Sequence, residues 1–148
     1  RLSDLRDKPV GLVFGSYTGP PFRKQAVRLN QLHAAYKDQV QFYIVYIREA
    51  HPARGWQVPD NLIEDILYDE PTTDDERTAV AAACQIGLDL HMPMLIDGID
   101  NDIDEKYVGL PMRLFLVDGK GKIAYAGEKG PWGWDDVAFE KALTKVVG

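Results

Sequence analysis

Cysteine is almost absent from this chain of 148 residues, which contains only Cys84. A single thiol excludes an internal disulfide and any redox cycle that uses two cysteines of the same chain. Basic residues are also in the minority, with 17 Lys and Arg against 23 Asp and Glu and a net charge of −6. Because neutralising phosphates requires a basic surface, the composition argues against a nucleic-acid partner.

Long apolar runs are missing as well. No stretch approaches the roughly 18 consecutive apolar residues of a membrane-spanning helix, and the start at Arg1 does not resemble a signal peptide. We therefore expect a soluble domain without membrane contact, and the compartment and oligomeric state stay open. With 45% hydrophobic and 27% charged residues, the chain has the composition of one globular domain over residues 1–148.

The hydrophobic pattern changes its period along the first third of the chain. Val10 to Phe14 is a short apolar run that ends at a glycine, as in a strand buried on both faces. From Phe22 to Tyr36 apolar residues recur every three or four positions after two prolines, which predicts a helix. Val40 to Ile47 predicts a second buried strand. The three segments form a βαβ unit, whose strands should be parallel with a right-handed crossover.

Periodicity is lost from residue 48 to residue 71, which predicts a long insertion loop with one helical turn near Ile63 to Tyr68. The elements expected after it are a helix from a Thr73-x-x-Glu76 capping box to Leu88, a strand at Met94–Ile96, a hairpin of Leu114–Val117 and Ile123–Ala126, and a closing helix from Asp135 or Asp136. This order predicts an α/β, thioredoxin-like fold with a central mixed sheet flanked by helices.

Four strings carry a family resemblance: Gly15-Ser16-Tyr17-Thr18-Gly19-Pro20-Pro21-Phe22, Glu49-Ala50-His51-Pro52, Gly55-Trp56 and Gly130-Pro131. Together they resemble the iodothyronine deiodinase family and its bacterial relatives, over nearly the whole chain. The resemblance implies a thioredoxin fold close to the peroxiredoxins. It also implies selenocysteine or cysteine between the threonine and the first proline of the first string, where this chain has Gly19.

The resemblance implies an oxidoreductase that attacks an iodine atom, with a small-molecule substrate, a thiol reductant and no cofactor. A strand-to-helix junction with free N–H groups lowers the pKa of such a nucleophile. Glycine has no side chain that can react, so we expect the protein as written to be inactive in reductive dehalogenation and in thiol- or selenol-dependent reduction. The alternative is a non-catalytic binding or interaction domain. Whether Gly19 is native, engineered or a recoded selenocysteine stays open.

The resemblance places three side chains beside position 19. Thr18 is a hydrogen-bond donor to a bound sulfur, selenium or anion, or an ordinary cap of the turn. Glu49 orients His51 or is a solvated charge at a strand end. His51 is a general acid, or a loop residue held by the backbone.

The resemblance also implies a pocket around these residues. Its expected members are Tyr17, Trp56, a cis Pro111, Met112, Arg113 and Lys129. Tyr17 and Trp56 are aromatic walls or packing residues, and Arg113 binds a buried anion or carboxylate or is a strand-edge charge. Met112 stands where deiodinases carry glutamate and Lys129 where they carry arginine, so the family's pocket is incomplete here.

The remaining reactive residue types fit structural roles. The acidic stretch from Asp97 to Glu105 lacks the glycine and glutamate of a calcium loop, so we expect a solvated loop. No histidine lies in a metal-ligand pattern, and no metal site is expected. Cys84 lies in an Ala-rich helical stretch and is interpreted as a buried structural thiol rather than a relocated nucleophile.

Overall fold

The computed structural model describes residues 1–5 and 7–148. Its central sheet has the strand order β3-β2-β1-β4-β5, with β1 at Val10–Gly15, β2 at Gln41–Tyr46, β3 at Met94–Ile96, β4 at Arg113–Val117 and β5 at Ile123–Ala126. β1 pairs with β2 and β2 with β3 in parallel, whereas β4 is antiparallel to β1 and to β5. The predicted mixed α/β sheet and its parallel βαβ unit are confirmed.

Two of the predicted helices have different bounds in the structure, and the acidic stretch forms a further helix that the sequence does not predict. They are α1 at Pro20–Lys24, α2 at Ala26–Tyr36, α3 at Pro59–Ile63, α4 at Asp74–Gly87, α5 at Asp102–Tyr107 and α6 at Asp136–Val147, after a short 3₁₀ helix at Leu2–Leu5. The single helix expected before β2 is interrupted at Gln25, whose φ of −97° and ψ of 0° leave the helical region. The prediction of a helical turn near Ile63 to Tyr68 is wrong. The helix of this loop begins at Pro59, whose ring fixes a helical φ, and it ends at Ile63.

The ends of the later elements follow their sequence signals. The Thr73 hydroxyl accepts the Glu76 N–H at 3.1 Å and caps α4, and the Asp135 carboxylate accepts the Ala138 N–H at 2.9 Å and caps α6. In the turn between β4 and β5, the Asp118 carboxylate accepts two backbone N–H groups at 2.9 Å each. Within the described residues, no helix has the length and apolarity needed to cross a bilayer.

The acidic stretch is only in part the solvated loop that the sequence predicts. Asp100, Asp102 and Glu105 are exposed, but the segment from Asp102 forms α5 and two of the carboxylates are buried. Asp97 is buried, and its carboxylate accepts the N–H groups of Ile103 and Asp104 at 3.1 and 2.9 Å at the start of α5. Asp104 is buried too, and its Oδ1 accepts the N–H groups of Gly109 and Leu110 at 3.1 and 3.0 Å. These carboxylates face inward because they accept backbone N–H groups at the start of α5 and just after its end.

The sheet has a different cover on each face. On one face α2, α4 and α6 pack onto a core that includes Leu29, Cys84, Met112 and Phe139. On the other face the 3₁₀ helix and α5 cover a second core built from Val10, Leu12, Phe14, Val45, Ile47, Phe115 and Val117. Cys84 lies inside the first core, which agrees with its interpretation as a structural thiol.

Candidate functional site

The strand pairing brings four segments to one end of the sheet. Gly15 pairs with Tyr46, and Phe14 pairs with Arg113, so the ends of β1 and β2 lie beside the start of β4. The end of β5, at Ala126, pairs with Phe115 on the far side of β4. This end of the sheet therefore receives the residues that follow or precede these strands, including Thr18, Gly19, Glu49, His51, Pro111, Met112 and Lys129. Strand ends of α/β sheets are common places for functional groups.

Gly19 is the residue immediately before α1, with φ −92° and ψ 103°, a region open to any residue type. Its N–H donates to the Ser16 carbonyl at 3.2 Å. The next two residues, Pro20 and Pro21, have no amide hydrogen, so the first N–H of the helix belongs to Phe22. The junction therefore offers fewer free N–H groups to a side chain at position 19 than the sequence analysis expects.

Position 19 nevertheless has room for a Cβ atom, although Gly19 itself is buried. A Cβ atom built there would lie 3.4 Å from the Ser16 carbonyl oxygen, 3.6 Å from the Ala50 Cβ and 3.8 Å from the Ser16 Oγ. These are ordinary van der Waals separations. The Ser16 hydroxyl accepts the Ala50 N–H at 3.1 Å, which leaves its own hydrogen free to donate.

Thr18 connects the loop that follows β1 to the loop that follows β2. Its N–H and its hydroxyl both donate to Oε1 of Glu49, at 3.2 and 2.9 Å. The same hydroxyl accepts the backbone N–H of His51 at 3.2 Å. The three predicted catalytic residues Thr18, Glu49 and His51 thus form one hydrogen-bonded group, directly before position 19.

Glu49 is a buried carboxyl with an unusual acidity. The Tyr46 hydroxyl donates to its Oε2 at 2.8 Å and accepts the Tyr17 N–H at 2.9 Å. Burial raises the pKa of Glu49 from 4.5 to about 7, although hydrogen bonds from Tyr46 and Thr18 act in the opposite direction. A carboxyl group with this pKa can hold or release a proton near neutral pH.

His51 has its ring fixed by the loop that follows it. Its Nδ1 lies 3.0 Å from the Trp56 carbonyl oxygen, and its ring contacts the Trp56 ring edge to face at 5.1 Å between centroids. Because a carbonyl oxygen only accepts, the hydrogen bond assigns the hydrogen to Nδ1 and leaves Nε2 as an acceptor when the ring is neutral. His51 is therefore oriented by Trp56 and is half-buried.

The turn before position 19 is also held from the helix side. Nη1 of Arg23 donates to the Tyr17 carbonyl at 2.8 Å, and Nε of Arg23 pairs with Glu64 at 2.8 Å. The buried side chain of Asn61, in α3, donates to the Thr18 carbonyl at 3.0 Å. The insertion loop thereby fixes the backbone on which position 19 stands.

The predicted pocket residues have diverse surroundings. Tyr17 is buried, and its ring lies 5.4 Å from that of Tyr68, which supports its packing role. Met112 is buried in the first core. Trp56 is 79% exposed, and Lys129 is exposed as well.

Pro111 follows a cis peptide bond, as the sequence analysis expects. Arg113 has different partners from those expected. Its Nε donates to the Gly127 carbonyl at 2.7 Å, its Nη1 donates to the Tyr107 carbonyl at 2.8 Å, and its guanidinium lies 4.6 Å from the centre of the Phe115 ring. Arg113 thus joins α5 to the end of β5, rather than binding a carboxylate.

Several residues of this region are not among the site residues that the sequence predicts. Ser16 lies inside the first family string, and Tyr46 lies three residues before Glu49. Their closeness to predicted site residues is a signal that could have identified them. Asn61 and Glu64 have no such signal, because their contacts with Thr18 and Arg23 cross 43 and 41 positions from a segment that lacks periodicity. Arg23 lies in the predicted helix, and nothing in its pattern distinguishes it from an exposed basic residue.

Solved structures share the fold of this chain. A thiol-disulfide isomerase from Corynebacterium glutamicum matches with a TM-score of 0.68 and 17% identity, covering 100% of this chain and 86% of that chain. A secreted disulfide oxidoreductase from Mycobacterium tuberculosis matches with a TM-score of 0.66 and 15% identity, covering 97% and 85%. At such identities the likeness shows the thioredoxin-like fold alone.

Relatives in sequence are more specific. The type I iodothyronine deiodinase of Xenopus laevis is 33% identical over 130 residues, which cover 86% of this chain and 48% of that protein. The type II enzyme of Rattus norvegicus is 30% identical over 131 residues, covering 87% and 49%. The chain therefore spans about half the length of these relatives. The family model for iodothyronine deiodinase matches residues 4–146, so this chain belongs to the iodothyronine deiodinase family.

Proposed function

We propose that this chain is a deiodinase-like oxidoreductase scaffold whose nucleophile position is Gly19, and that it has no redox turnover as written. The observation that carries the proposal is the environment of position 19. A Cβ atom fits there without a close contact, beside the hydroxyl of Ser16 and one residue after the hydrogen-bonded group of Thr18, Glu49 and His51. The surroundings suit a reactive side chain that glycine lacks.

Cys84 does not replace the missing nucleophile. Its side chain is fully buried in the first core, and burial raises the pKa of its thiol well above the usual range. A thiol that stays protonated and inaccessible is inert, because the thiolate is the reactive form.

For a thiolate or selenolate at position 19, the names of the relatives indicate the reaction class. The chalcogen takes iodine from an aryl iodide, so that a carbon–iodine bond breaks, a chalcogen–iodine bond forms and the carbon receives a proton. Two equivalents of an external thiol then release iodide and restore the nucleophile, and the thiols leave as a disulfide. Glu49, protonated below about pH 7 and joined to the Thr18 hydroxyl, is the proposed source of the proton.

The test compares the chain as written with Gly19→Cys and with the control Gly19→Ser, which adds a side chain of similar size but no thiol. Thyroxine and hydrogen peroxide serve as substrates, and dithiothreitol serves as the reductant. We expect turnover only for Gly19→Cys. Turnover by the unchanged protein, or equal turnover by the serine variant, would place the chemistry elsewhere and overturn the proposal.

A non-catalytic binding domain is the second candidate. It is favoured by the place of Gly19 at the end of the sheet where α/β folds bind ligands, without a side chain that could react. The codon at position 19 of the native gene separates the two candidates. A TGA or cysteine codon supports the oxidoreductase, whereas a native glycine codon favours the binding domain.

A further inference from the structure

Arg77 is a fully buried guanidinium near the start of α4. Its Nη1 donates to the carbonyls of Asp97 and Gly98 at 3.2 and 2.7 Å. Its Nη2 donates to Oε1 of Glu70 and to Oδ1 of Asn101, at 2.9 Å each. Burying a charged group is costly unless it is paired and hydrogen-bonded, so this set of acceptors requires a specific arrangement of three chain segments.

Glu70 connects Arg77 to the candidate site. While its Oε1 accepts from Arg77, its Oε2 accepts the backbone N–H of Glu49 at 2.7 Å. The carboxylate of Glu70 is thus held by a buried cation at one oxygen and holds the β2 loop at the other. Charge-assisted hydrogen bonds of this kind are stronger than neutral ones and fix geometry.

We propose that Arg77 and Glu70 are positioning residues of the position-19 site, with Arg77 orienting the Glu70 carboxylate and Glu70 fixing the backbone of Glu49. The proposal rests on the proposed function only in taking position 19 as the reactive site. The contacts among Arg77, Glu70 and Glu49 do not depend on that function. The Glu49 carboxyl accepts from both donors of Thr18, and the backbone that continues from Glu49 places the His51 N–H against the Thr18 hydroxyl. A displacement of the Glu49 backbone would disturb all three bonds.

Glu70 also contributes a charge close to Glu49. The titratable groups around the Glu49 carboxyl are Tyr46 from β2, Cys84 from α4 and Glu70 from the insertion loop, and Arg77 lies behind Glu70. Burial is the largest cause of the raised pKa of Glu49, and the negative charge of Glu70 raises it further. Neutralising Glu70 should therefore favour ionised Glu49.

The first experiment follows the Glu49 side-chain carboxyl by ¹³C NMR titration in the chain with Gly19 unchanged. We expect Glu70→Gln, which removes the charge and keeps one of the two acceptor oxygens, to lower the titration midpoint by at least about half a pH unit. The matched control is Asp69→Asn, which removes the same charge one residue away, where the side chain pairs with exposed Arg54 at 3.5 Å. Equal shifts in both variants, or none in either, would overturn the role of Glu70.

The second experiment measures hydrogen exchange of the Glu49 amide. We expect Glu70→Ala to accelerate exchange by about tenfold or more, because both acceptor oxygens are lost, and Glu70→Gln to accelerate it less, because the amide keeps one acceptor oxygen. Arg77→Lys keeps the charge without the planar fork and should also accelerate exchange. Unchanged protection in Glu70→Ala or in Arg77→Lys would contradict the positioning role of that residue.

Both readouts use the protein without a thiol at position 19. A perturbed Glu49 titration together with an inactive Gly19→Cys variant would sustain the positioning pair and count against the proposed function. An unchanged Glu49 titration and amide exchange in the Glu70 variants, together with an active Gly19→Cys enzyme, would overturn the positioning pair and support the proposed function.

Discussion

Thr18 donates to the same oxygen of Glu49 twice, through its N–H at 3.2 Å and through its hydroxyl at 2.9 Å, although the two residues are 31 positions apart in the chain. Such a double contact fixes the loop after β1 against the loop after β2. It also directs a buried carboxyl at the backbone that immediately precedes Gly19. We therefore expect the ionisation of Glu49 to be coupled through Thr18 to the properties of a side chain at position 19.

A pair of alanine substitutions tests whether position 19 accepts a side chain. At Gly15 a new Cβ would lie 2.2 Å from the Phe22 ring, whereas at Gly19 the closest atom is 3.4 Å away. We expect Gly15→Ala to reduce the free energy of unfolding by about 1–3 kcal/mol, and Gly19→Ala to change it by less than about 0.5 kcal/mol. Urea denaturation measures both. Equal destabilisation by the two variants would contradict the room for a Cβ atom at position 19.

The sheet and its connections could be predicted from the sequence because their signals are local. The apolar runs Val10–Phe14 and Val40–Ile47 identify strands, and Thr73 and Asp135 identify helix starts by their position before an amphipathic pattern. Such signals depend on neighbouring residues and not on contacts between distant segments. The structure confirms the strands and helix starts that they predict.

What could not be predicted depends on contacts between distant segments. The acidic stretch looks solvated by composition, yet Asp97 and Asp104 face inward because they bind backbone N–H groups. Asn61 reaches the Thr18 carbonyl across 43 positions, within a loop that has no periodic pattern. No local signal distinguishes such a side chain from an exposed polar residue.

The thiol of a Gly19→Cys variant should titrate below the ~8.5 of a free cysteine. The position precedes α1, whose first N–H is that of Phe22, and lies beside the Ser16 hydroxyl, and we expect these donors to outweigh the burial of position 19. The rate of iodoacetamide alkylation against pH measures this pKa, and the unchanged protein, whose Cys84 is buried, is the control. A midpoint at or above the free value would show that the site no longer activates a nucleophile.

The coupling to Glu49 can be measured in the same variant. When Glu49 is ionised, its negative charge opposes formation of a thiolate nearby. We expect Gly19→Cys with Glu49→Gln to have a lower thiol pKa than Gly19→Cys alone. The control, Gly19→Cys with Glu140→Gln, changes a carboxylate that pairs with Arg28 elsewhere. An unchanged pKa in the Glu49 variant would show that the two positions do not interact.

Asp104 should be important for the loop that contains the cis Pro111. Its carboxylate accepts from Gly109 and Leu110 and lies 2.8 Å from Nε of Arg48, one residue before Glu49. Asp104→Ala removes the acceptor of the Leu110 N–H and the carboxylate beside Arg48, while the Gly109 N–H keeps the backbone carbonyl of residue 104 at 3.2 Å. We expect a loss of about 3 kcal/mol in the free energy of unfolding. The exposed residue Asp102, which pairs with Lys106 one turn along α5, provides the control Asp102→Ala with a loss below about 1 kcal/mol. Similar losses in both variants would contradict the structural role of Asp104.

The raised pKa of Glu49 predicts how the stability of the fold depends on pH. The folded protein holds this proton with a pKa of about 7, against an ordinary value of 4.5, so between these values it binds more protons than the unfolded chain. The contribution of Glu49 is therefore present below about pH 4.5 and is lost as the pH rises to about 7.

Glu49→Gln removes this dependence, because the amide stays neutral. Relative to the unchanged protein, the variant should gain stability between pH 5 and pH 8, by at most roughly 3 kcal/mol. Urea denaturation at several pH values gives the difference. Glu76→Gln is the control, since hydrogen bonds from Thr72 lower the pKa of Glu76 and place its contribution below this range. A constant difference between Glu49→Gln and the unchanged protein from pH 5 to pH 8 would show that Glu49 ionises like an exposed carboxyl, and it could not then supply a proton near neutral pH.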